Sequence, residues 1–252
     1  MTRQAGWEEA KAVIEEFTGP VRDVRFASAG FNADIAAIVN HRYFVKGLRR
    51  EHPQAWTQLR EKDINPYVRH VSAPVEWHAD KNGWIILGFT CLPGRHADYR
   101  PGSPDLPLIA QVIGRIPPAP AGLDLKRAEL RWSAYSPQPD LFAGDHLSHT
   151  DWSPGNVLID DGARLVDWAW PTRGAAWIDP ACWVVWLIAS GHNPAQAQAQ
   201  AARIPAFARA PEQAVTAFAA AQAAMWADIG EHAPHARLAA AAAGWHKHRT
   251  RS

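Results

Sequence analysis

The sequence predicts an α+β protein of two lobes, a small β-rich N-terminal lobe over residues 1–94 and a larger, mainly helical C-terminal lobe over residues 95–252. Three observations carry this. Up to residue 90 the chain reads mostly as short β-rich runs separated by turn residues, with one internal helical stretch. After Ser103-Pro104 the apolar spacing becomes helical. Between the two regions Leu92-Pro93-Gly94 interrupts both patterns, and a boundary there leaves a cleft of the kind in which ligands are bound.

Taken in order, Trp7 to Phe17 has the apolar spacing of an amphipathic helix, and Val21 to Ala27 alternates as a strand does. Ile35 to Val39 and Tyr43 to Lys46 are β-rich and joined by Asn40-His41-Arg42, which predicts a hairpin. His52-Pro53 opens a helix to about Ile64, with the proline in its first turn. Pro74 to Ala79 and Trp84 to Cys91 flank Asn82-Gly83, the signature of a second hairpin. Helices are then expected over Asp105 to Ile113, Lys126 to Tyr135, Trp177 to Ala189 and the alanine-rich segments beyond Pro194. Short extended pieces, Asn156 to Ile159 and Arg164 to Val166, lie between them.

The charge balance, 26 Lys and Arg against 25 Asp and Glu, supplies no general attraction for nucleic acid or for a membrane surface. No protein partner is implied either. The acidic, amphipathic N-terminus is unlike a secretory leader, and the most apolar run, Ala181 to Ala189, is far shorter than the ~20 residues of a membrane span. Cys91 and Cys182 lie in apolar runs without metal-ligand spacing, as buried thiols in a reducing compartment do. A cytoplasmic protein is expected.

The chemistry is concentrated in His149-Thr150-Asp151-Trp152-Ser153-Pro154-Gly155-Asn156, followed by strand-like Val157-Leu158-Ile159, a turn at Asp160-Asp161-Gly162, and a second strand running into Asp167. This is H-x-D-x-x-x-x-N with an Asp closing the next strand, the catalytic-loop and metal-binding pattern of the kinase template for phosphoryl transfer. Asp151 is placed to orient and deprotonate an attacking hydroxyl. Asn156 and Asp167 offer hard oxygen donors to Mg2+, which keeps waters and nucleotide phosphates in its shell and so needs few protein ligands.

On these residues the sequence resembles the aminoglycoside phosphotransferase and choline kinase family, which has a protein-kinase-like fold. The resemblance is most specific over residues 147 to 182. It implies transfer of the γ-phosphate of Mg-ATP or Mg-GTP to a hydroxyl of a small acceptor, either aminoglycoside-like, an amino alcohol or a sugar. His149 and Asp179 then support the catalytic loop, although Asp179 at a helix start equally suits the helix dipole alone. Lys46 corresponds to the phosphate-contacting lysine of the third strand, paired with Glu61 rather than Glu51. Gly30 stands where the family has its nucleotide-covering turn, without the three glycines of G-x-G-x-x-G. Main-chain groups from Thr90 to Leu92 match the hinge that reads the base. Thr150 replaces the arginine that protein kinases carry between His and Asp, and no A-P-E segment follows Asp167, which favours a small-molecule enzyme over a protein kinase.

Two other readings compete. His149 and Asp151 form an H-x-D pair of the kind a metal hydrolase uses, but the twelve histidines are otherwise scattered. A catalytically inactive kinase-like nucleotide- or ligand-binding protein would explain the degenerate glycine turn; retention of Lys46, Glu61, Asp151, Asn156 and Asp167 together argues against it. Of thirteen tryptophans most are expected in the core. Trp152 and Trp170 flank the proposed reactive residues and are the candidates to wall an acceptor site. Acids are sparse in the helical region, with Glu212, Asp228 and Glu231 beyond Ala195, which disfavours a polycationic acceptor.

Overall fold

The protein is described from a computed structural model covering residues 3–27, 33–230 and 235–251. The chain divides into two compact units. The first comprises residues 1–94 together with Leu165–Trp170, and the second comprises Arg95–Arg164 and Pro171–Ser252. The return of Leu165–Trp170 to the first unit departs from a division into two continuous segments.

The first unit opens with helix α1 (Arg3–Thr18), whose Trp7, Ala10, Val13 and Ile14 recur at three- and four-residue intervals and are buried. Strands β1 (Val24–Phe26), β2 (Ile35–Val39) and β3 (Tyr43–Arg49) follow, then helix α2 (Ala55–Val68) and strands β4 (Val75–Lys81) and β5 (Trp84–Thr90). The strands form one antiparallel sheet in the order β1-β2-β3-β5-β4. Asn40 and His41, then Asn82 and Gly83, adopt positive φ in the two tight turns, as hairpins of this type require. The α1 face packs with Ile35, Ala37, Val39, Val45, Trp84 and Ile86 in one core cluster. Each of the Val and Ile side chains among them contributes roughly 1.5–3 kcal/mol on full burial. Pro53 lies ahead of α2, in the turn, with Gln54 at the N-cap; its fixed φ helps set the entry rather than the first helical turn. Gly88 faces the Trp77 indole so closely that a Cβ there would lie 2.1 Å from Cε2.

In the second unit β6 (Arg95–His96) pairs with β9 (Val157–Ile159), which also neighbours β10 (Ala163–Leu165). Strand β7 (Lys126–Arg127) runs parallel to β11 (Thr172–Gly174), and β8 (His146–Ser148) pairs antiparallel to β11 on its other side. Helices α3 (Leu106–Ile113), α4 (Ala128–Arg131), α5 (Ile178–Ala189), α6 (Pro194–Ala201), α7 (Pro205–Ala208), α8 (Glu212–Ile229) and α9 (His235–Arg249) complete it. The helix expected over Lys126 to Tyr135 is corrected. Its first two residues are recruited by β11, only Ala128–Arg131 is helical, and Trp132 turns into an aromatic cluster with Phe142 and Phe218, the latter's ring centroid 4.9 Å away. Trp177 joins that cluster against Phe142 and Phe218. The largely buried helix α5 packs against α3, α6, α8 and α9, which explains its nearly continuous apolar sequence. Among the described residues no helix is long and apolar enough to cross a membrane.

Candidate active site

In the first unit Lys46 sits on the inner strand β3, opposite Ala36 of β2 and Leu87 of β5. Its Nζ lies 2.9 Å from Glu61 Oε2 and 2.5 Å from Asp167 Oδ1. Glu61 is buried on α2 and uses its other oxygen to accept the backbone N–H of Trp168 at 3.1 Å. Burial pulls the Lys46 ammonium toward neutrality, but the two carboxylates outweigh it and hold the group above its ordinary value, fully charged. Burial drives the Glu61 carboxyl upward against the pull of Lys46. Both its oxygens nevertheless accept N–H donors, the pattern of a carboxylate. The segment bearing Asp167 is tied down where Leu165 N–H donates to Val71 O at 2.7 Å and Ser72 Oγ donates to Leu165 O at 2.7 Å. Asp167 itself has φ +64°, a left-handed backbone that a non-glycine residue adopts at some cost.

In the second unit β8 runs into the loop His149–Asn156. Asp179, buried in the first turn of α5, clamps that loop. Its Oδ2 accepts the His149 N–H at 2.8 Å, while Oδ1 accepts the Thr150 N–H at 2.8 Å and the Trp152 indole N–H at 2.9 Å. These bonds fix Thr150 at φ +68°. Of the two roles open to Asp179, the contacts display loop anchorage directly. His149 is buried, and its Nδ1 accepts the Asp151 N–H at 3.3 Å, which leaves the ring proton on Nε2 in the neutral tautomer. Asn156 donates its amide nitrogen to Asp151 O at 3.3 Å, so its Oδ1 is the atom left to meet a cation.

Two residues near Asp151 escaped the sequence reading. Tyr99 is buried, and burial together with the Asp151 charge pushes its phenol well above the ordinary value. Arg131, on α4, is drawn down by burial, while Cys182, Asp151 and Asp179 oppose the shift. Neither belongs to a motif, and each lies at least twenty residues from Asp151 along the chain. Cys182 is pushed far up by burial, which keeps it an unreactive thiol; burial raises Cys91 less strongly.

No protein-family model matches the sequence, and no curated protein matches it. Solved structures do match. Wild-type aminoglycoside 2′-phosphotransferase-IIIa in its GDP complex aligns at a TM-score of 0.58 and 11% identity over 100% of this chain and 99% of that one. Aminoglycoside phosphotransferase APH(4)-Ia gives 0.58 and 15% over 97% and 98%. The chain has the aminoglycoside phosphotransferase fold. A protein described as a fructosamine-3-kinase from Haemophilus somnus 129PT shares it, at 0.58 and 12% over 97% of each chain.

Within the aminoglycoside phosphotransferase fold, Lys46, Glu61 and Asp167 come together in the first unit, and His149, Asp151, Trp152, Asn156 and Asp179 in the second. Trp152 requires a correction. It is 0% exposed with its indole N–H committed to Asp179, so it offers no face to an acceptor and instead anchors the loop. Trp170 is half-buried and meets the exposed Trp56 edge-on at 5.0 Å. At the expected hinge, the Thr90 N–H donates to Pro74 O and the Cys91 N–H to Arg42 O, so these two donors are already engaged. Leu92 belongs with Phe44, Val75 and Val166 to a half-buried apolar rim packed on Ala73, Leu87 and Phe89. Gly30 lies outside the described residues. Among the described residues no group of three or more His, Cys, Asp and Glu is arranged to hold a metal, so the site offers no histidine cluster of the hydrolase kind.

Proposed function

We propose that this protein is a small-molecule kinase that moves the γ-phosphoryl group of Mg-ATP or Mg-GTP to an acceptor hydroxyl. The observation that carries the reading is the buried lysine, Lys46, held between Glu61 and Asp167. A charged ammonium fixed in this way is a ready donor to nucleotide phosphates, and it exists without a phosphorylated activation segment to assemble it. Solved proteins of this fold include complexes with GDP and with ADP plus hygromycin B.

Asn156 Oδ1 and the Asp167 carboxylate are hard oxygen donors, one neutral and one anionic, and suit Mg2+, which when bound would neutralise charge on the nucleotide phosphates. Asp151 would accept the proton of the acceptor hydroxyl as its oxygen bonds to the γ-phosphorus and the bond from that phosphorus to the β-bridging oxygen breaks, releasing the nucleoside diphosphate. Asp179 and His149 keep the loop in the shape that presents Asp151. The apolar rim of Phe44, Val75, Leu92 and Val166 offers a surface for a purine, with Leu92 and main-chain carbonyls left to read its edge. For the acceptor, Glu212 is paired with Arg249 and Asp228 accepts the Tyr135 hydroxyl, while Glu231 lies outside the described residues. Glu212 and Asp228 are therefore engaged, which favours a sugar or amino alcohol over a polycationic ligand. Trp170 remains the aromatic candidate for contacting it.

The test is a nucleotide-consumption screen over hydroxylated metabolites and antibiotics, with nucleotide affinity measured beside it. Lys46→Ala and Asp167→Ala should weaken Mg-dependent nucleotide binding. Asp151→Asn should bind nucleotide normally and lose about 10²- to 10⁴-fold in turnover. Wild-type turnover by Asp151→Asn on the true acceptor would refute the reading.

A further inference from the structure

We propose that Arg131 is a positioning residue for the loop that carries Asp151, supplying from α4 the guanidinium that the loop's own sequence lacks at Thr150. The proposal rests on the phosphotransferase reading for its kinetic consequences, though not for its structural ones. Arg131 ends a four-residue helix and is half-buried instead of extending freely into solvent. Its Nη1 donates to Thr172 Oγ1 at 3.1 Å, and its guanidinium lies 5.3 Å from the centroid of the buried Trp132 ring. Thr172 is fully buried and pairs in register with Ser148, the last residue before His149. The guanidinium is therefore coupled through one hydrogen bond and one strand pair to the start of the loop.

The charges that act on it add to the case. Cys182 and Asp179 on α5 and Asp151 on the loop are the groups whose charge bears on Arg131. Cys182 is held as the neutral thiol, so the two carboxylates are the charges that count. Withdrawing a guanidinium from water costs several kcal/mol unless charge and hydrogen bonds offset it. Here the offset comes from the carboxylate that would meet the acceptor and the one that clamps the loop. Asp179 fixes the backbone of His149 and Thr150. Arg131 adds an electrostatic attraction on Asp151, whose Oδ1 otherwise accepts only the long 3.3 Å bond from the Ser153 N–H among the described residues. A positioned carboxylate displaced by about 1 Å can lose on the order of 10²-fold in rate.

The experiment compares Arg131→Gln, Arg131→Lys and Thr172→Val with the wild type in steady-state transfer, with nucleotide and acceptor varied in turn, and in amide hydrogen exchange. Arg131→Gln should lower kcat by about 10- to 100-fold with nucleotide KM unchanged, the signature of an interaction needed at the transition state. Arg131→Lys should recover part of kcat by restoring the charge. Thr172→Val, which keeps the charge and loosens its anchor, should lose several-fold. In exchange, the His149 and Thr150 amides should lose protection in Arg131→Gln. A folded Arg131→Gln enzyme with wild-type kcat overturns the proposal, as does equal damage in Gln and Lys variants with nucleotide KM altered alongside. If Arg131→Gln does not fold, a wild-type kcat in both Arg131→Lys and Thr172→Val overturns it. Should the wild type transfer phosphate to nothing, the functional reading fails by itself; unchanged exchange at His149 and Thr150 in the variants would then refute the positioning role separately.

Discussion

Lys46 and Glu61 form a buried ion pair, 2.9 Å between Nζ and Oε2, in which neither partner has a substantial share of its surface in water. Such a pair is costly to break from one side. Glu61→Leu leaves Lys46 with Asp167 alone and should destabilise by about 3–5 kcal/mol, whereas Lys46→Met with Glu61→Leu together should cost much less. Urea unfolding of the single and double variants measures this coupling. Equal destabilisation by the double and by Glu61→Leu alone would show that the pair is not the unit. Both variants should weaken Mg-dependent nucleotide binding.

Asp179→Asn tests the loop clamp. A carboxylate accepts at both oxygens, but the amide must turn one NH2 toward either the His149 N–H or the pair formed by Thr150 and Trp152. A buried donor left without an acceptor costs about 1–3 kcal/mol. The expected outcome is a lowered melting temperature with a fall in kcat that exceeds any change in nucleotide KM.

Asp105 gives the second unit a dependence on pH. Arg95 donates to both its oxygens, at 2.6 and 2.7 Å, and the Asp98 N–H adds a third bond at 2.8 Å. The Arg95 hydrogen bonds, against the opposing effect of burial, hold Asp105 below the ordinary carboxylate range. A folded value below the unfolded one means the unfolded chain takes up the proton first. The stabilisation is therefore complete above the unfolded value of about 4 and is lost as pH falls through the folded one. Urea midpoints of wild type and Asp105→Asn should differ at pH 7 and converge as the pH falls below the ordinary carboxylate range. A constant difference across that range would exclude Asp105 as the titrating group.

Gly88→Ala should damage the first unit severely, because the new methyl would overlap the Trp77 ring at Cε2, Nε1 and Cζ2. Overpacking of this kind costs typically about 1–3 kcal/mol. Gly88→Ala combined with Trp77→Phe should recover part of the loss in thermal unfolding. No recovery would place the strain in the backbone instead.

Much of the fold was legible because it rests on local pattern. The two hairpins follow from Asn40-His41 and Asn82-Gly83 flanked by β-rich runs, and α5 from a continuous apolar stretch of helical length. What failed was decided by distant partners. Lys126 and Arg127 lie in a strand only because β11 runs beside them, and Trp132 leaves the helical path to meet Phe142 and Phe218. The motif residues of the site were legible from order and type, yet for Asp179 the sequence left loop support and a helix-dipole role equally open, since the three N–H partners that decide it stand 27 to 30 residues away. Trp152 and Trp170 look alike beside the motif; burial separates them, and burial is a property of packing. Arg131 carries no sequence signal because its relation to Asp151 spans a helix, a strand pair and a loop.

The return of Leu165–Trp170 to the first unit bears on how the protein is born. During synthesis the sheet can form once residue 90 has emerged, but Lys46 then has Glu61 without Asp167, and Glu61 lacks the Trp168 amide. Ser72 likewise waits for the Leu165 carbonyl. The N-terminal unit thus reaches its final state only after nearly eighty further residues have left the ribosome. A nascent chain stalled before residue 165 should accordingly be cleaved by protease within α2 more readily than one stalled after residue 200.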